Sequence, residues 1–91
     1  MNKQLLRQAQ ELQARLAKAQ EELGNVTVEG TAGGGMVKVV MTGHQAVQSV
    51  KISPEAVDPQ DVGLLEDMVL AAFSDASKKA QDLAQKRLGA I

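Results

Sequence analysis

The sequence predicts an α+β fold of two layers: a helix, a three-stranded antiparallel meander and a long final helix, dimeric, with the helices projecting as arms. Three observations predict it. Apolar residues recur at helical spacing at both ends of the chain, with a period of two between them. Glycine and proline fall at the joints between these segments. The last helical segment is also too long for a globule of 91 residues, which is otherwise one small domain over residues 1–91.

The first helix is expected from Asn2 to Leu23. Its apolar positions Leu5, Ala9, Leu12, Leu16, Ala19 and Leu23 step alternately by four and three, the seam of a heptad repeat. Glu11 with Arg15 and Lys18 with Glu22 are i,i+4 pairs that support an exposed helix. Gly24 and Asn25 supply a stop, because both tolerate the left-handed conformation of a helix C-cap.

Between Val26 and Ile52 the period falls to two. Val26 and Val28, then Val37, Val39 and Met41, then Val50 and Ile52 alternate with their neighbours as strands with one buried face. Residues 30–35, four of them glycine, and Gly43-His44-Gln45 read as the two turns. Pro54 stops the third strand. Asp58 reads as a helix cap and Pro59 as the first helical residue, where no donor is needed. The final helix should then run from Pro59 to Leu88 and end at Gly89. Its seam is Val62, Leu65, Val69, Ala72, Ala76, Ala80 and Leu83, widened by Phe73. Gly63, costly inside a helix, hints at close backbone packing there.

A compact chain of this size has a radius of gyration of ~12 Å, whereas thirty helical residues extend ~45 Å. The last helix therefore overhangs, and a symmetric dimer is the commonest way to bury its stripe. Leu12, Leu16, Leu65, Val69 and Phe73 are the residues expected at the dimer seam. If the two helices lie antiparallel, Lys3 and Arg7 should gather beside Lys86 and Arg87 at the tip of an arm.

Composition excludes several classes. Trp, Tyr and Cys are absent and Phe73 is the single aromatic, which removes disulfide scaffolds, cysteine metal clusters and aromatic stacking platforms. His44 stands alone at a turn and reads as solvated, while the four serines lack a nucleophile elbow. No catalytic residue, metal site, cofactor or small-molecule substrate is expected. The glycine loop is followed by strand, not by the Lys-Ser/Thr and helix of a phosphate loop. No segment approaches the ~20 apolar residues of a membrane span, and no leader pattern opens the chain, so the expectation is a cytoplasmic protein away from membranes.

A net charge of −1 hides a segregated pattern. Residues 54–75 hold Glu55, Asp58, Asp61, Glu66, Asp67 and Asp75 with no base. Lys78, Lys79, Lys86 and Arg87 follow against Asp82 alone. From charge alone, these bases complement the helix dipole and aid solubility.

A resemblance goes further. The run from Val28-Glu29-Gly30-Thr31 through Gly33-Gly34-Gly35 to Val37-Lys38-Val39 is similar to the YbaB/EbfC family of bacterial nucleoid-associated proteins. So are Val50-Lys51-Ile52, Val57-Asp58, Leu64-Leu65-Glu66-Asp67-Met68-Val69 and Ala71-Ala72-Phe73-Ser74-Asp75-Ala76. Gln8, Gln10, Gln13 and Ala19-Gln20-Glu21-Glu22 resemble the family's first helix. The resemblance implies a tweezer-shaped homodimer that binds duplex DNA with little sequence preference, located with the nucleoid in the cytoplasm. It implies a role in chromosome organisation or gene expression. It also implies that the terminal helices carry DNA contacts, and by position these fall on Lys3, Arg7, Arg15, Lys18, Lys78, Lys79, Lys86 and Arg87. The competing expectation is an interaction scaffold that docks through its apolar, acidic residues 54–75, with DNA binding incidental.

Overall fold

The structure is a computed structural model that describes residues 2–89. Its elements are α1 (Lys3–Leu23), β1 (Thr27–Ala32), β2 (Val37–Thr42), β3 (Val47–Ile52), a single 3₁₀ turn at Pro54–Ala56 and α2 (Val62–Gly89). The strands pair in the order β1-β2-β3 and are antiparallel throughout, with a bulge between Val40 and Met41. The expected order of helix, three-stranded antiparallel meander and long helix is the one observed.

Alternation sorts the sheet into two faces. Val37, Val39 and Met41 of β2 point to one side and are fully buried. Their register partners on that face are Ala32, Gly30 and Val28 of β1, and Ile52, Val50 and Val47 of β3. The helix α2 lies over β1 and β2 and packs on them through Met68, Ala72 and Ala76, with Ala80 also buried. Small side chains bring the two layers close. A Cβ added at Gly30 would stand 2.2 Å from the Ala72 carbonyl oxygen and 2.3 Å from the Ala76 nitrogen. The third column is left uncovered: Val47, Val50 and Ile52 remain 45%, 48% and 41% exposed on the inner face.

The opposite face is polar and carries no second layer. Thr31, Lys38 and Lys51 form one row across it, and Glu29, Val40 and Ser49 the next. At the β1–β2 turn Gly33, Gly34 and Gly35 adopt φ of 63°, 67° and 92°, a left-handed run that side chains disfavour.

Several joints differ from the sequence expectation. Gly24 is right-handed (φ −69°) rather than left-handed. Its small size serves proximity instead, because a Cβ there would meet the Glu21 carbonyl and the His44 ring at 3.3 Å. The final helix begins at Val62, not Pro59. Asp58 caps a turn by accepting from the Gln60 N–H, and Asp61 accepts from the Leu64 N–H at the true helix start. Gly89 is the last described residue of α2, while Gly63 faces open space with no close backbone neighbour. Val62 is exposed and Met68 takes an inward position in its stead.

The chain is a rod. Its extents are 70 × 16 × 16 Å and its radius of gyration is 18.8 Å, far above the compact value. The excess length is in the helices: the C-terminal half of α1, from Arg15 to Glu22, lies beside Arg87 of α2. Leu23 is buried, whereas Leu5, Leu6, Leu12 and Leu16 are exposed.

Candidate nucleic-acid interface

The helix α1 starts with Asn2, whose side chain accepts from the Gln4 N–H at 2.8 Å. It ends against the β2–β3 turn, and that junction is held by His44. The His44 Nε2–H donates to the Gln20 carbonyl at 2.5 Å, and the Gly43 N–H donates to the Leu23 carbonyl at 2.9 Å. His44 is exposed at its turn, as expected, and it also makes a structural bond that the sequence did not foresee. His44 satisfies a carbonyl in the last turn of α1, where no intrahelical partner exists. Gln45, the one non-glycine residue with positive φ (66°) among the described residues, sends its Nε2 to the Ser77 hydroxyl and carbonyl on α2. Nothing in the sequence pattern announced these two anchors, because single polar turn residues carry no periodicity.

With α1 so fixed, it runs towards the sheet while α2 runs away from it. Arg15 and Lys18 of α1 and Arg87 of α2 line one open cleft of ≈ 300 Å³, together with Ala19 and Glu22. Three cations thus meet one carboxylate between two helices, a local excess of positive charge on a chain of net charge −1. Lys3 and Arg7 are not part of it. Arg7 lies ~12 Å and Lys3 ~18 Å further along α1 from Arg15. They sit on its exposed outer half, and the expected gathering with Lys86 and Arg87 does not occur.

The remaining bases of α2 divide. The Lys79 Nζ lies 3.1 Å from Asp75 Oδ2 and donates to the Glu29 carbonyl at 2.9 Å, so it ties α2 to the edge strand β1. Asp75 in turn accepts from the Thr31 N–H at 3.1 Å. That backbone bond first, and Lys79 second, hold its carboxyl below the ordinary value of 3.8. Lys86 borders a hollow of ≈ 500 Å³ with Val28, Glu29, Lys79, Asp82 and Leu83. Lys78 is exposed, and the Asp75–Lys79 pair is the one ion pair within 4 Å among the described residues.

At the opposite end of α2 lies an apolar groove of ≈ 450 Å³ lined by Ile52, Leu65, Val69, Leu70 and Phe73, with Glu66 at its rim. Three residues of the expected dimer seam, Leu65, Val69 and Phe73, share this groove. Leu12 and Leu16 lie apart from it on α1. No group of ligating side chains that could hold a metal ion occurs among the described residues. No helix of the described residues is long and apolar enough to cross a membrane.

A sheet backed by one long helix, with a second helix projecting and cations placed between the two, defines a class of small α+β proteins with a helical arm. A model of the YbaB/EbfC DNA-binding family matches residues 1–91, and the chain belongs to that family. It is 55% identical over 86 residues to a nucleoid-associated protein of Chloroflexus aurantiacus, covering 94% of this chain and 86% of the relative. It is 52% identical over 89 residues to a nucleoid-associated protein of a Roseiflexus species, covering 98% and 88% of the two chains. A nucleoid-associated protein of Bacillus cereus is 57% identical over 74 residues, which is 81% of this chain and 68% of that protein. The fold matches the crystal structure of the uncharacterized protein HP0035 from Helicobacter pylori at a TM-score of 0.79. The identity there is 20%, and the match covers 98% of this chain and 94% of that one.

Proposed function

We propose that this chain is a nucleoid-associated protein that binds duplex DNA as a homodimer with little sequence preference. In that role it organises the chromosome and influences gene expression from the cytoplasm. One observation carries the reading: Arg15, Lys18 and Arg87 converge from two helices on a single cleft. Guanidinium and ammonium groups so placed neutralise phosphates, and each neutralised phosphate contributes ~−0.9 to the slope of log K against log salt. Lys3, Arg7, Lys78 and Lys86 add exposed charge along the same helices. Lys79 contributes less, because its ammonium is already shared between Asp75 and Glu29. The converging groups are cations suited to phosphate oxygens, so in this reading phosphate contacts dominate and sequence discrimination is weak.

The homodimer is supported by the uncovered strand column. Val47, Val50 and Ile52 with Leu65, Val69, Leu70 and Phe73 form a half-exposed apolar surface beside α2. Burying them contributes about 1 kcal/mol each, enough to oppose the ~4–15 kcal/mol cost of association. A second reading uses the same surface. The adjoining acids Glu55, Asp58, Asp61, Glu66 and Asp67 would suit a basic protein partner, making the chain a docking scaffold.

Fluorescence anisotropy on unrelated duplexes, with sedimentation of the free protein, separates the two. The DNA reading expects a dimer, equal affinity for unrelated sequences and a steep salt dependence. Changing Arg15 and Arg87 together to Glu should weaken binding to every duplex by at least tenfold and leave the dimer intact. A monomer that shows no binding at low salt leaves the scaffold reading in place.

A further inference from the structure

We propose that the outer face of the sheet is a second phosphate-binding surface for duplex DNA, centred on Lys38 and Lys51. This rests on the DNA-binding reading and extends it to residues outside both helices. The register makes Lys38 and Lys51 direct partners across β2 and β3, which sets their Cα atoms ~4.5–5.5 Å apart. Like charges so opposed are unfavourable in a sheet. Both side chains are exposed, and neither has a carboxylate within 4 Å among the described residues.

The surroundings fit an anionic backbone. Thr31 completes the row beside Lys38, and Ser49 lies one row away on β3, so hydroxyl donors flank the two ammonium groups. Glu29 is the single acid among the strand residues of this face, diagonal to Lys38. The Lys38 Cε rests 3.8 Å from where a Gly35 Cβ would stand, which leans this ammonium towards the glycine turn. There Gly34 has nothing within 4 Å of its own Cβ position, so a bulky ligand can approach the backbone. The long helix α2 packs on the other face, and three strands present a surface ~14 Å wide.

This surface is separate from the cleft between the helices. It lies near the glycine turn, at the end of β2 remote from α1. The path from Lys38 along β2 to Gly43 is ~17 Å. A further ~8 Å along α1 leads from Leu23 to Lys18. A protomer would therefore offer phosphates two footholds rather than one.

The test measures anisotropy of a labelled mixed-sequence duplex over a range of salt, with the unmodified chain, K38Q/K51Q and K38R/K51R. The expected result is a slope shallower by about 2 per engaged protomer in K38Q/K51Q, equivalent to roughly tenfold less sensitivity over a fourfold rise in salt. Its thermal midpoint should be unchanged or higher, since a like-charge opposition has been removed. K38R/K51R, which keeps both charges, should restore the original slope. If K38Q/K51Q binds with the affinity and slope of the unmodified chain, the sheet face is not a DNA surface, though the helical cleft can still be one. If the unmodified chain itself fails to bind at low salt, the DNA reading fails first.

Discussion

The two helices differ in what holds them. Both α1 and α2 are amphipathic, but α2 buries Met68, Ala72 and Ala76 against the sheet, whereas α1 buries Leu23 alone. The body formed by α2 and the strands is thus fixed by tight packing. The arm formed by α1 rests on local terms: the Asn2 cap, favourable residues in the helix and the His44 and Gly43 bonds at its base. A surface for binding a large partner does not need a core beneath it. The rigid element can supply the platform and the looser one the reach.

Four experiments break or sharpen this contrast. The largest effect belongs to the body. Gly30→Ala would force a methyl group into the space of the α2 backbone, and a loss of ~3 kcal/mol or more in chemical denaturation is expected. A variant of normal stability would mean that α2 sits further from β1 than the structure places it. At the junction, His44→Ala removes one hydrogen bond to a helix-terminal carbonyl, worth ~1 kcal/mol. That loss should appear as faster amide exchange in the last turns of α1, with the sheet amides unaffected. Equal acceleration in both regions would show that arm and body unfold as one unit.

The next effect is a pH dependence. Because the Thr31 N–H and Lys79 hold the Asp75 carboxyl below its ordinary value, that carboxylate stabilises the fold above pH 3.8, and its contribution is lost as the pH falls through the lower folded value. Thermal midpoints measured down an acid series should therefore fall less steeply for Asp75→Asn than for the unmodified chain. Identical slopes would remove Asp75 from the account of acid sensitivity. The smallest effect is expected on the arm. Leu12→Ala, on a largely exposed side chain, should shift the stability of the isolated protomer by less than ~0.5 kcal/mol. A large loss that depends on protein concentration would instead place Leu12 in the dimer seam.

The fold was legible because its signals are periodic. Val37, Val39 and Met41 announce a strand, and the four-three spacing from Leu5 to Leu23 announces a helix, whatever surrounds them. The joints were less legible, since Asp58 and Asp61 are equally good caps and only the turn at Pro59 decides between them. The position of the cations depended on how far α1 slides along α2. Heptad spacing leaves that open, and the bond from His44 to Gln20 helps fix it. Hence Arg87 met Arg15 and Lys18 instead of Lys3 and Arg7. The opposition of Lys38 to Lys51 was hidden for a similar reason, because it is a property of strand register rather than of either strand.

The uninterrupted length of α2 has a mechanical consequence. The same helix lines the apolar groove at Val69 and the cationic cleft at Arg87, with ~27 Å of stiff backbone between them. Nothing along that span is a hinge: no proline interrupts residues 62–89, and Ala72, Ala76 and Ala80 are fully buried along the inner face of the helix. A tilt of ~10° about the groove would carry Arg87 through ~5 Å, by simple lever geometry on that length. If a second copy seats in the groove, its angle there would therefore set how far apart the two clefts stand, with no change inside either protomer.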